Sequence, residues 1–219
     1  MRTRHLLISA IVGLGLALAL SSALVSFGVS AQVAGKAPVT APHSPTAELH
    51  VCASCAFTSV QGAVDAANPG DTIKIAAGVY TDVHQRAGLE QVVYISKSVT
   101  LSGGYSPADW TSSYLTQPTT LDAQQQGRVA YIAGTSARIE GLTLRAGRAV
   151  NGNGGGIKST GHLTLTNCAI ESNLALGDSG GRTGGGLGGG IYNTGTLFIT
   201  RCVLASNQAI GGHGVDRLV

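Results

Sequence analysis

Apolar and polar positions alternate in short runs through the second half of the chain, and the runs recur. Leu163 and Leu165 alternate with Thr164 and Thr166, and Leu197 and Ile199 fill the same alternate places 34 residues later. The offset holds without a gap. Gly154-Gly155-Gly156-Ile157 returns as Gly188-Gly189-Gly190-Ile191, Thr160-Gly161 as Thr194-Gly195, Cys168 as Cys202, Ile170 as Leu204, Ser172-Asn173 as Ser206-Asn207 and Ala175 as Ala209. Nothing in the unit follows the i, i+3, i+4, i+7 stripe of a helix. Two-residue alternation broken by Gly, Asn and Thr-Gly predicts several short strands per unit. A fixed period of this length predicts a stacked repeat. Strands that turn corners and lie on their own copies make a parallel β-helix.

Weaker copies extend the pattern toward the N-terminus. Ile139, Leu142, Leu144 and Gly147 align with Leu165, Cys168, Ile170 and Asn173 at an offset of 26. The additional residues of the longer unit are expected in a Gly-rich loop at 177–186. Gly147, Asn173 and Asn207 are expected at a left-handed corner, which Gly and Asn accept most readily. Strand-like runs near 72–80, 91–105, 120–147, 154–175 and 188–209 predict about five rungs. The segment 105–119, with Trp110 and Tyr114, is expected as an excursion pinned by its aromatics. Before the first rung, Val60, Ala63, Val64 and Ala67 form one helical stripe. Thr58 is the expected N-cap, with Gln61 reaching back to complete a capping box, and Asn68-Pro69-Gly70 stops the helix. A short amphipathic helix here would cover the end of the stack.

Composition agrees with such a fold. Gly supplies 32 of 219 residues and charged side chains only 11%, which suits a chain made of turns rather than an ordinary helical enzyme. Residues 1–31 carry Arg2, Arg4 and His5, then an apolar run from Leu6 to Leu20, then Val29-Ser30-Ala31. This is the pattern of a signal peptide cleaved before Gln32. The same apolar stretch is long enough to act as a membrane anchor if it is not cut. Residues 32–48, with Pro38, Pro42 and Pro45, read as a linker, leaving 49–219 as the repeat domain. The formal charge of +3 is spread over single residues with no basic stripe, so no nucleic-acid partner is expected.

Several residues carry the resemblance to known families. The Gly-Gly-Gly-Ile units, each followed by an apolar-x-x-Asn at Ile170–Asn173 and Leu204–Asn207, resemble polymorphic outer membrane protein repeats, with Gly in place of an Ala and Ile or Leu in place of a Phe. The segment from Phe57 to Tyr80, ending Gly70-Asp71-Thr72-Ile73-Lys74-Ile75-Ala76-Ala77-Gly78-Val79-Tyr80, is similar to the entry of pectate-lyase-like right-handed β-helices. Leu101-Ser102-Gly103-Gly104-Tyr105 and Thr119-Thr120-Leu121-Asp122 resemble later rungs of that group. The resemblance implies an all-β, single-stranded right-handed parallel β-helix with a capping helix. Its members include lyases, hydrolases, adhesins and autotransported surface proteins, so it implies function far less narrowly.

Chemistry is sparse. Enzymes of this fold need convergent acids, or Ca²⁺ with a basic residue. Asp122 and Arg145 are the catalytic candidates, drawn from a set that includes Glu140, Lys158, His162 and Glu171. Glu140 and Arg145 are expected on one strand as a surface pair. Residues 152–159 nearly fit a nucleotide-binding loop, but Ile157 stands where a Gly is required and the sister copy lacks the Lys. No cofactor is expected. Residues 211–219 match a single Ca²⁺-binding nonapeptide with Asp216 as the metal candidate, yet such sites are shared between tandem copies. Cys52 and Cys55 suit a local disulfide in an exported chain. A haem site would need His where Ala56 stands, and zinc would need more ligands than His50 adds. Cys168 and Cys202 occupy one repeat position and are expected as stacked buried thiols, a disulfide being the alternative. Since a third copy is starting at Gly211-Gly212-His213-Gly214, the expected domain is incomplete at its C-terminal end, where further rungs or another chain would cover it. The expected function is an exported, non-enzymatic adhesion or structural protein facing a polysaccharide or cell-surface ligand. A polysaccharide lyase or glycoside hydrolase of the same fold is the alternative.

Overall fold

The computed structural model describes residues 46–110, 117–178 and 185–212. They form an all-β structure of short strands with one helix. The leader of residues 1–31, most of the linker, Tyr114 and Asp216 lie outside the described residues.

Following the chain, β1 (Glu48–Val51) starts on the last residue of the expected linker and precedes α1 (Val60–Ala66). Then come β2 (Thr72–Ala76), β3 (Gly78–Tyr80), β4 (His84–Arg86), β5 (Leu89–Ile95), β6 (Val99–Tyr105), β7 (Thr119–Asp122), β8 (Arg128–Ile132), β9 (Ser136–Glu140) and β10 (Leu142–Arg145). β11 (Arg148–Val150), β12 (Ile157–Ser159), β13 (His162–Thr166), β14 (Ala169–Glu171) and β15 (Leu174–Leu176) are followed by β16 (Ile191–Asn193), β17 (Thr196–Thr200), β18 (Val203–Ala205) and β19 (Gln208–Ile210).

Four sheets result, and in each the strand order is the order in the chain. The first is β1-β2-β6-β9-β13-β17, the second β3-β7-β10-β14-β18, the third β4-β5-β8-β12-β16 and the fourth β11-β15-β19. All pairs between named strands are parallel except β4 with β5, a hairpin turned through Ala87 and Gly88 at positive φ. From β9 onward the chain visits first, second, fourth and third sheet, then starts again. Register follows the repeat offsets. Leu163 faces Leu197 and Ile170 faces Leu204, 34 apart, while Leu165 faces Ile139 and Ile170 faces Leu144, 26 apart. The eight-residue difference falls between β15 and β16, which are separated by 14 residues where β11 and β12 are separated by six.

Alternation puts one apolar residue per strand face into a continuous core. Ile73, Leu101, Ile139 and Leu165 of the first sheet meet Leu121, Leu144 and Ile170 of the second and Ile95, Ile132 and Ile157 of the third, all fully buried. The helix adds Val60, Ala63, Val64 and Ala67 to this core beside β1, β2 and β5. Its N-cap is Ser59, whose hydroxyl accepts from the Gly62 amide, in place of the expected Thr58. Gln61 does not reach back to a capping box. Its side chain accepts from the Tyr94 amide at 2.7 Å and donates to the Tyr94 carbonyl at 3.3 Å. The sheet outbids the cap, because β4 ends its pairing at Gln91 and would leave both Tyr94 groups on a bare edge.

Corners also differ in detail from expectation. Left-handed φ falls on Ala146, Ser172 and Ser206, one residue before Gly147, Asn173 and Asn207, and again on Gly141, Asn167 and Arg201. The asparagines act through their side chains instead. Buried Asn173 accepts from the Gly147 amide at 2.7 Å and donates to the Leu144 carbonyl at 3.1 Å. Asn207 repeats this one copy on, accepting from the Asn173 amide and side chain and donating to the Ile170 carbonyl. Gly147 is small for a reason of space: a Cβ there would strike the Gly155 carbonyl.

Candidate functional site

Parallel register brings like positions of successive copies into rows across each outer sheet face. On the first sheet Thr100, Arg138, Thr164 and Phe198 are direct neighbours on β6, β9, β13 and β17. Ser136 and His162 form the adjoining row. Together with Gly70, Ser98 and the edges of Val99 and Ala137 they line a groove of about 310 Å³ running across the strands. Its charge is muted, since Arg138 is ion-paired with Glu140 two residues along β9. Hydroxyls, an imidazole and an exposed Phe198 remain, one per strand step of ~4.8 Å. This is a surface suited to a linear ligand, lying along the stacking direction, with alternate polar and apolar faces.

The sequence-derived candidates are dispersed over three sheets. Asp122 and Arg145 are neighbours on β7 and β10 and form an ion pair at 2.9 Å. The second oxygen of Asp122 accepts from the Gln124 amide, which fixes the turn after β7. Glu171 follows Arg145 in the same row on β14. Both candidates are thus tied into sheet structure. Glu140 and Arg145 lie on β9 and β10 in different sheets, contrary to the expected single strand, because the chain turns at Gly141 with φ 61°. Glu140 and His162 belong to the first sheet and Lys158 to the third.

The third sheet carries a row that sequence reading did not assemble. Tyr94, Tyr131, Lys158 and Tyr192 are consecutive neighbours on β5, β8, β12 and β16. Tyr94 and Tyr131 meet edge to face with centroids 5.5 Å apart, and the Lys158 amine lies 5.2 Å from the Tyr131 ring. Burial, with the nearby Arg128 guanidinium, holds the Lys158 amine below its ordinary pKa. Arg128 is itself buried and donates to the Asn153 carbonyl. The exchange of Lys158 for Tyr192 between the two copies was the available signal. It has meaning only once Tyr131 and Tyr94 fall into the same register.

Near β1, His50 stacks on Trp110 at 4.0 Å, and Lys74 bonds Glu48 and the Trp110 carbonyl. This cluster fastens the excursion after β6 to the first sheet. Cys52 and Cys55 form a disulfide, and Cys168 and Cys202 are free thiols. Cys168 is buried, which pushes its pKa up to about 11, whereas Cys202, expected to be buried too, is half-exposed on the last strand set. Among the described residues no group of three or more His, Cys, Asp or Glu side chains is placed to hold a metal ion. No known protein family, curated protein or solved structure was found to match the chain.

Proposed function

We propose that the chain is an exported right-handed parallel β-helix of the surface or extracellular kind, acting by binding rather than by catalysis. Each strand set is one rung, and the capping helix starts the coil. The observation that carries the reading is the groove across β6, β9, β13 and β17, where register supplies one side chain per rung to a linear ligand, with a polysaccharide of a cell surface as the ligand class. The ion pairing of Asp122 and Arg145, and the use of Asp122 in a turn, argue against their serving as a free acid and base.

The test is a polysaccharide panel applied to the full chain with and without Ca²⁺, reading binding and cleavage in parallel. Saturable binding lost in Phe198→Ala and His162→Ala, with no cleavage, supports the proposal. Turnover abolished by Asp122→Asn would replace it with the lyase or glycosidase reading.

A further inference from the structure

The row on the third sheet has two properties that the groove lacks. Its aromatic elements stand at a fixed interval, and its cation is uncompensated. Tyr131 and Tyr192 flank Lys158, two strand steps apart, which is about 9.6 Å. Tyr94, packed edge to face on Tyr131, widens the first of these two ridges. All four side chains are half-exposed. Among the described residues no hydrogen bond engages the phenol oxygens of Tyr94, Tyr131 or Tyr192, and no carboxylate lies within ion-pair distance of Lys158.

A polyproline II segment repeats every three residues, about 9.3 Å, and exposes every carbonyl because it has no internal hydrogen bonds. Aromatic ridges one such turn apart receive its prolines, and free phenol groups donate to its carbonyls. The spacing of the two strands that carry Tyr131 and Tyr192 matches that repeat within a few tenths of an ångström. Lys158, midway between the ridges and bare of a counter-ion, selects an acidic residue between the two prolines.

We propose that the Tyr94–Tyr131–Lys158–Tyr192 row is a docking site for a proline-rich segment of a partner protein, of the form Pro-x-x-Pro with Glu or Asp at one x. It lies on a different sheet from the groove and does not depend on what the groove binds. The chain itself contains Pro42-His43-Ser44-Pro45, which has the spacing but carries no acid between its prolines, so a peptide of this sequence is expected to be the weaker ligand.

The experiment is fluorescence anisotropy of labelled ten-residue peptides titrated with the full chain. The peptides carry Pro-Glu-Ser-Pro, Pro-Gln-Ser-Pro, Ala-Glu-Ser-Ala or Pro-His-Ser-Pro between identical flanks. The first is expected to bind most tightly and the third not to saturate. Tyr131→Ala and Tyr192→Ala are each expected to weaken the first by about tenfold or more, the loss typical of a contact that carries binding energy. Lys158→Ala should lower the Glu peptide to the level of the Gln peptide and leave the latter unchanged, a selectivity that a folding defect cannot mimic. A thermal melt of each variant separates unfolding from lost contact. Equal binding of the peptide without prolines, indifference to the three substitutions, or no saturable binding of any peptide would overturn the proposal. So would tightest binding of Pro-His-Ser-Pro, which would make the chain's own segment the occupant, or binding of glycans but not peptides through the same tyrosines.

Discussion

The copy at 154–176 and the copy at 188–210 share their residue pattern and their register, yet only the first is an interior. Leu165 and Ile170 are fully buried, while their counterparts Ile199 and Leu204 are 42% and 51% exposed. The backbone is the same in both, with Asn167 and Arg201 left-handed at one corner and Ser172 and Ser206 at the next. The contrast teaches that a position in this repeat is not intrinsically core. Burial is conferred by the copy that lies on top of it, so one residue type has two energies in two neighbouring strands.

The sharpest way to break the comparison is at the asparagines. Asn173→Leu leaves the Gly147 amide buried without its acceptor, and removes the side-chain bonds to the Leu144 carbonyl and to Asn207 while the Asn173 backbone amide keeps its own bond to Asn207. At about 1–3 kcal/mol for the orphaned amide and about 1 for each lost bond, a loss of ~3–5 kcal/mol is expected. Asn207→Leu, half-exposed, is expected to cost about a third of that. Denaturant titration of the pair checks the ratio, and equal losses would mean that the ladder is not cumulative.

Next in size are the apolar counterparts. Leu165→Ala should cost about 3 kcal/mol and Ile199→Ala under about 1, since only the first opens a cavity in a closed core. The same titration reads both. If the two were equal, the last copy would be covered in solution.

The thiols sharpen the comparison chemically. Maleimide labelling of the native chain at pH 8 should modify Cys202 promptly and Cys168 only on opening of the structure. The Cys168 thiol is raised to about 11 in the fold by burial, above its unfolded value near 8.5. Its neutral form is favoured by folding, so the unfolded state releases the proton first. Stability should therefore fall as pH rises from about 8.5 to 11, and a Cys168→Ala chain should lose that part of the slope. The smallest effect is expected at Arg145→Ala, below about 1 kcal/mol, because the half-exposed ion pair with Asp122 is screened by solvent. A loss several times larger would give the pair a role beyond the sheet surface.

Much of the sheet pairing could be read from residues before any coordinates. The offsets of 34 and 26 are the register itself, because a strand that stacks on its own copy must align like with like. What escaped the sequence was whatever depends on competition between partners. Gln61 had two uses and the sheet edge claimed it. Ser172 rather than Asn173 took the left-handed turn, because the asparagine amide was more valuable pointing inward along the stack. The groove and the tyrosine row combine Thr, Arg, His, Phe, Lys and Tyr from copies that change residue at those places, as Lys158 stands between Tyr131 and Tyr192 and Arg138 between Thr100 and Thr164. Only three-dimensional register assembles them. β1 was hidden because its four residues precede every recognisable repeat, and its pairing with Thr72–Ile75 is its sole signature.

The Gln61 contact with Tyr94 has a consequence for how the chain coexists with its own kind. The Gln61 amide turns one donor and its acceptor to Tyr94 as a peptide group would, with a further donor bond to Asp65, and so takes the seat that a foreign strand would need. Growth by accretion at this point is refused without any charge or proline to repel it. On the third sheet this edge of β5 is therefore closed by a side chain rather than by a strand. Replacing Gln61 with Leu would keep the helix apolar and the core filled, and would leave both Tyr94 groups on an edge where another strand could pair.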